Sequence, residues 1–199
     1  EGKSAHGSTP DAGVNAAFIL IEFLQTLDLQ SEFLKLFDAL LLNDTNGTKL
    51  GVNFIGEMGP LTSNVGIVDF ESGLGKITVN IRAPHEWELA ENRANIEALL
   101  QKYNATISSL TYKDPLYVPK DDYLVQTLYG VYKRQTGDTT PPLTTGGGTY
   151  ARPMKKAIAY GMLFPHTEDR MHQKNERVPL DDLIKATAIY AEALYELAK

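Results

Sequence analysis

Apolar positions change period along this chain, and the changes mark out its elements. Val14, Ala17, Phe18, Ile21 and Leu24 recur three or four residues apart, which places them on one face of a helix. The preceding "STPDAG" carries helix-start chemistry: Ser8 or Thr9 as N-cap, Pro10 at the first helical position and Asp11 near the positive dipole end. A helix beginning near Pro10 is expected. A second is expected around 31–42, with Phe33, Leu34, Phe37, Leu40 and Leu41 inward, broken by "NDTNGTKLG". The period then falls to two. "NVGIVDF" and "GKITVNIR" flank the turn "ESGLG", which predicts a β-hairpin. In its second strand Ile77, Val79 and Ile81 share one face, and Lys76, Thr78, Asn80 and Arg82 share the other. A helix over roughly 86–103 presents Leu89, Ile96, Leu99 and Leu100, and "ATISSLTY" reads as a further strand.

The Pro-rich "KDPLYVPKD" at 113–121 is the expected domain boundary. Beyond it a helix over about 121–135 stops at Gly137, and a Gly/Thr loop, "TTGGGTYAR", follows. The continuous apolar run "KAIAYGMLF" suits a strand buried on both faces. After the polar loop "HTEDRMHQKNER", a last helix starts at Pro179, with Leu180, Leu183, Ile184, Ala191 and Leu194 expected inward. The first half has the pattern of a small α+β sandwich with an antiparallel sheet; the second reads as α/β, with functional loops at strand ends.

Composition narrows the function classes. The 199 residues have room for one or two domains, and 43% hydrophobic with 22% charged residues is ordinary for a globular protein. A net charge of −6 without a Lys/Arg stripe argues against a nucleic-acid partner. The absence of cysteine excludes disulfide and thiolate chemistry and fits a reducing cytoplasm. The longest apolar runs, about eight residues, fall far short of the roughly 20 that span a bilayer, so no membrane role is expected. The chain opens on Glu1-Gly2-Lys3 and is read as a fragment or processed form.

Four histidines are present. His85, after Pro84, reads as a surface residue, and His166 as the start of a loop. His172 sits in a polar loop just after the expected buried strand, a usual place for site residues. A metal ligand and a solvated loop residue are equally good readings of it. Zinc needs at least three protein ligands. Glu168, Asp169 and Glu176 are nearby, but no HxxxH, HxH or HExxH spacing exists. Any metal partners of His172 therefore lie far away in sequence or outside the chain. The three glycines of "TTGGGTYAR" let backbone approach a ligand and aim N–H groups at an anion, with Thr149 and Arg152 favouring a carboxylate; a flexible turn is the alternative. Alone, His6 reads as an exposed loop histidine and Arg82 as a surface charge.

Taken in order, "GKSAHGSTPDAGVNA", "TVNIRAP", "TTGGGTYAR" and "FPHTEDRMHQKNE" resemble the co-catalytic di-zinc peptidases that include aminoacylase, carboxypeptidase G and the bacterial dipeptidases. The triple glycine with Tyr150 and the "MHQKNE" segment resemble the PepV-type branch, which cleaves Xaa-His and β-alanyl dipeptides. The resemblance implies a lid domain portion over 1–115, with an antiparallel sheet and at least two helices. Residues 116–199 would be the C-terminal part of an α/β zinc-peptidase catalytic domain. It implies a catalytic role for His6, polarising the scissile carbonyl; substrate binding by Arg82, Gly147, Gly148 and Thr149; and metal binding by His172. The complete enzyme would carry two Zn2+, with Mn2+ or Co2+ as alternatives, and act on dipeptides in the cytoplasm. This chain, without the N-terminal catalytic half, would be inactive and bind no metal stoichiometrically. A homodimer through the lid sheet is a further expectation. Lys174, beside the expected ligand where a small residue is usual, departs from the pattern. The alternatives are an N-acyl-amino-acid deacylase or desuccinylase of the same family, and a non-catalytic dimerisation or binding module.

Overall fold

Lys3 and Val14 exchange backbone hydrogen bonds of 2.9 Å in each direction, closing residues 3–14 into a loop. Gly13 permits the closure: a Cβ there would lie 2.7 Å from the Lys3 carbonyl oxygen and 2.8 Å from the Ala5 Cβ. This corrects the helix expected from Pro10. Pro10–Ala12 makes only a 3-10 turn, because Gly13 is extended and Val14 is committed to the bridge. Helix α1, Ala16–Gln25, starts afterwards under Asn15, whose side chain accepts from the Ala17 N–H at 3.0 Å.

The computed structural model describes residues 1–27, 29–171 and 174–199; His172, the expected metal ligand, lies outside them. They form two units: Glu1–Pro115 with Thr144–Gly147, and Leu116–Leu143 with Gly148–Lys199.

In the first unit, α2 (Glu32–Leu40) is capped by Ser31. A two-residue ribbon follows, β1 (Ile55–Gly56) with β2 (Gly59–Pro60). The expected hairpin is formed by β3 (Thr62–Glu71) and β4 (Leu74–Arg82), antiparallel. Val65 lies opposite Val79 and Ser63 opposite Ile81 on one face; Asn64 opposite Asn80 and Thr62 opposite Arg82 lie on the other. The apolar face packs on Phe18, Ile21, Phe37, Leu61 and Trp87, with α3 (Leu89–Gln101) contributing Leu89, Ile96, Leu99 and Leu100. Phe37 is fully buried and meets Phe18 edge-on, with ring centroids 6.0 Å apart. The strand expected over 105–112 is not formed. Among the described residues this stretch has no ladder partner, and Leu110 and Tyr112 are exposed.

The second unit packs α4 (Tyr123–Thr136) and α5 (Leu180–Leu197) around Leu128, Val131, Phe164, Ala186, Ile189 and Ala193. Asp122 caps α4, accepting from the Leu124 N–H at 2.9 Å, and Gly137 ends it in the left-handed conformation, φ 73°. Two expectations are corrected here. The buried stripe of α5 is Asp182, Ala186, Ile189 and Ala193, whereas Leu180, Leu183, Ile184, Ala191 and Leu194 are exposed. Asp182, Ala186, Ile189 and Ala193 recur at spacings of three and four and so share one helix face, a phase that the apolar positions alone left open. Residues 158–164 alternate, with Ile158, Tyr160, Met162 and Phe164 toward the helices and Ala159, Gly161 and Leu163 exposed. That is strand-like, but one face is uncovered and no ladder forms among the described residues. Burial pushes the Tyr160 phenol up to about 12 while its hydroxyl donates to the Leu128 carbonyl at 2.9 Å.

The fold class is thus helices with small antiparallel sheets, α+β in the first unit and helix-dominated in the second. Among the described residues no helix is long and apolar enough to cross a membrane.

Candidate functional site

Three separate stretches of sequence meet in the first unit. The closed loop of residues 3–14 carries His6 at the start of a tight turn, in which the Thr9 N–H donates to the His6 carbonyl at 2.9 Å. Within that turn the Ser8 hydroxyl lies 2.7 Å from the His6 Nδ1, and the Ser8 backbone N–H donates to the same atom at 3.4 Å. The polar face of β4 carries Arg82. The short segment Thr144–Gly147 is tethered where the Thr144 hydroxyl donates to the Met58 carbonyl at 2.9 Å, in the turn between β1 and β2.

Arg82 joins the three. Its Nε donates to the Asn80 Oδ1 at 3.1 Å, and its Nη1 donates to the Gly146 carbonyl. Gly7 lies alongside, since a Cβ there would sit 3.4 Å from Nη2. Gly146 also packs on Ser8; a Cβ on it would lie 2.5 Å from the Ser8 Cβ, which nothing tolerates without movement. Loop, strand and glycine segment therefore interlock around one guanidinium. Among the described residues Nη2 makes no hydrogen bond, which leaves it as a donor suited to a carboxylate oxygen.

Sequence-expected residues fall on both units. His6, Arg82 and Gly147 belong to the first. Gly148 and Thr149 belong to the second, where the Thr149 hydroxyl accepts from the Ala151 N–H at 3.3 Å and its carbonyl accepts from the Arg152 N–H at 3.1 Å. This turn buries Ala151 and leaves Tyr150 99% exposed. Gly146, next to the expected pair, is the glycine that touches Arg82 and Ser8. Asn80 and Ser8 were also missed as site residues. The signal for Asn80 was present, because it shares a strand face with Arg82 two residues away.

Of the remaining histidines, His85 Nδ1 lies 3.1 Å from Glu86 Oε2. His166 Nε2 lies 3.0 Å from Asp182 Oδ1, so this histidine does more than begin a loop. Among the described residues no three His, Asp or Glu side chains are grouped to hold a metal ion. An open groove of about 740 Å3 beside α3, lined by His85, Trp87, Arg93 and Tyr112 among others, contains none of the residues around Arg82.

Comparison with known proteins bears on what this arrangement does. Residues 10–196 match the model of Peptidase family M20/M25/M40. The chain is 40% identical to a Staphylococcus saprophyticus protein named "Putative dipeptidase", with 99% of this chain and 43% of that protein covered. Counterparts of the same name from Staphylococcus haemolyticus and Staphylococcus aureus (strain USA300) are 39% and 38% identical over the same shares. The chain therefore spans less than half the length of these relatives.

Proposed function

The chain belongs to Peptidase family M20/M25/M40, and from that premise we propose that it is the lid and C-terminal portion of a metal-dependent, PepV-type cytoplasmic dipeptidase. The observation that best supports this is the convergence of the His6 loop, Arg82 and Gly146 within one unit. A dipeptide has one scissile carbonyl and one terminal carboxylate a single residue apart. His6 is the donor to the carbonyl oxygen as negative charge develops there, a contribution of about 3–4 kcal/mol for one such donor. Arg82 grips the terminal carboxylate through Nη2. An arginine set to receive a chain end favours short substrates, because a longer peptide has no carboxylate at that position. Gly147 supplies backbone groups to this substrate, and Gly148 and Thr149 are proposed as substrate-binding residues of the second unit.

The proposed enzyme uses two metal ions, Zn2+ or alternatively Mn2+ or Co2+, to activate a water. The described residues do not by themselves fit such a pair. His172 is proposed as one ligand, with the others supplied by the rest of a longer protein. The open edges of the β3–β4 hairpin are proposed as the dimerisation surface, which light scattering would test.

The deciding assay compares the longer enzyme on dipeptides and on N-acetyl and N-succinyl amino acids. Preference for dipeptides, with Arg82→Ala raising KM, supports the proposal. Preference for N-acyl amino acids would make the protein a deacylase of the same family. The 199-residue chain alone, supplied with zinc, is expected to hydrolyse none of these, and measurable turnover would overturn that expectation.

A further inference from the structure

A histidine that stabilises an oxyanion must present a hydrogen, and a neutral imidazole has only one. Which nitrogen holds it is decided by what the other accepts. We propose that Ser8 is a positioning residue that fixes this choice in His6, making Nδ1 an acceptor and placing the proton on Nε2. The inference rests on the reading of His6 as the donor to the developing oxyanion.

The geometry carries the argument through the one group whose role is unambiguous. A backbone N–H can only donate, and the Ser8 N–H points at the His6 Nδ1 from 3.4 Å. A hydrogen on Nδ1 would face it head-on. Nδ1 therefore presents its lone pair, and the Ser8 hydroxyl, 2.7 Å away, donates to the same lone pair as the stronger of the two bonds. Two donors from one residue converge on one acceptor. The turn closed by the Thr9 N–H and the His6 carbonyl holds Ser8 in register with the ring. The Ser8 side chain is boxed in from behind by Gly146, where a Cβ would stand 3.3 Å from the Ser8 Oγ and 2.5 Å from its Cβ. The glycine segment thus limits where Ser8 can go, and Ser8 in turn holds the Nδ1 side of the imidazole. The ring becomes a donor at Nε2 without being protonated. A neutral donor suits a reaction that starts from a neutral carbonyl and passes through an anion.

The test is the nitrogen NMR of His6 in the 199-residue chain, at a pH alkaline enough that the ring is neutral. The expected result is a protonated, pyrrole-type Nε2 and a pyridine-type Nδ1 shifted by hydrogen bonding. Ser8→Ala should move the Nδ1 resonance toward that of a nitrogen with no bonded donor hydroxyl, and Ser8→Thr should restore it. In the longer enzyme Ser8→Ala should lower kcat about tenfold at nearly unchanged KM, the effect of one lost hydrogen bond expressed only at the transition state. An Nδ1-protonated ring in the unsubstituted chain overturns the inference even if Ser8→Ala fails to fold, as does an Nδ1 resonance unmoved by Ser8→Ala. Should His6→Ala leave kcat of the longer enzyme unchanged, the oxyanion reading fails while the tautomer assignment stands or falls on the spectrum.

Discussion

Arg82 shows how a single side chain is aimed. Its Nε is fixed by Asn80 and its Nη1 by Gly146, so the guanidinium plane is set before any ligand arrives. Pre-orientation of this kind matters because an arginine otherwise loses about 2 kcal/mol of rotamer freedom on being immobilised. Removing the Asn80 carbonyl should cost binding rather than chemistry. Asn80→Ala in the longer enzyme is expected to raise KM for dipeptides about tenfold, the value of one hydrogen bond to a charged group, with kcat nearly constant. Steady-state kinetics checks the split, and a fall in kcat alone would count against Asn80 as an anchor for Arg82. The pairing of Asn80 with Arg82 could be read from the sequence, because period-two alternation puts both on one strand face. The contact with Gly146 could not, because 64 residues separate the partners and three adjacent glycines offer no pattern to tell one from another.

Among the elements, the β3–β4 hairpin followed from its sequence because alternation and turn chemistry agree. Ser72 and Gly73 both take positive φ, 53° and 82°, the two-residue turn whose twist matches the strands. Serine is strained at the first position, where asparagine is favoured. Ser72→Asn should therefore raise stability by about 0.5 kcal/mol, measurable as a higher urea midpoint at constant slope. The start of α5 is a second device of local chemistry. Asp182, buried in its first turn, accepts from the Thr167 hydroxyl at 2.5 Å and lies 3.0 Å from the His166 Nε2, tying the loop of residues 165–167 to the helix. The Thr167 bond above all, then His166 and Lys185, hold the Asp182 carboxyl below the usual carboxylate range. A carboxyl depressed by folding contributes stability above its unfolded value of about 3.9, and that contribution is lost as pH falls through the folded value. The melting temperature should thus drop more steeply below about pH 4 in the unsubstituted protein than in Asp182→Asn. Parallel curves would show that the clamp contributes nothing. This pairing was invisible in the sequence, where His166 and Asp182 stand 16 residues apart without a motif.

At the scale of the whole molecule, two apolar cores are built on different plans, one around a hairpin and one around two helices. The chain leaves the first unit after Pro115, returns for Thr144–Gly147 and leaves again. A linear reading of composition cannot show such a return, because four residues of Thr and Gly carry no hydrophobic signal. The misread strands share one cause: apolar runs report burial, whereas a strand also needs a neighbour to bond. Residues 158–164 separate the two properties. Their side chains alternate as in a sheet, yet among the described residues no backbone hydrogen bond joins 158–163 to another segment. In hydrogen–deuterium exchange the amides of Ile158, Tyr160 and Met162 should therefore trade with solvent nearly as fast as an unstructured peptide. The amides of α4 and α5 around them should stay closed for far longer, so that burial of a side chain and protection of its own amide come apart within one heptapeptide.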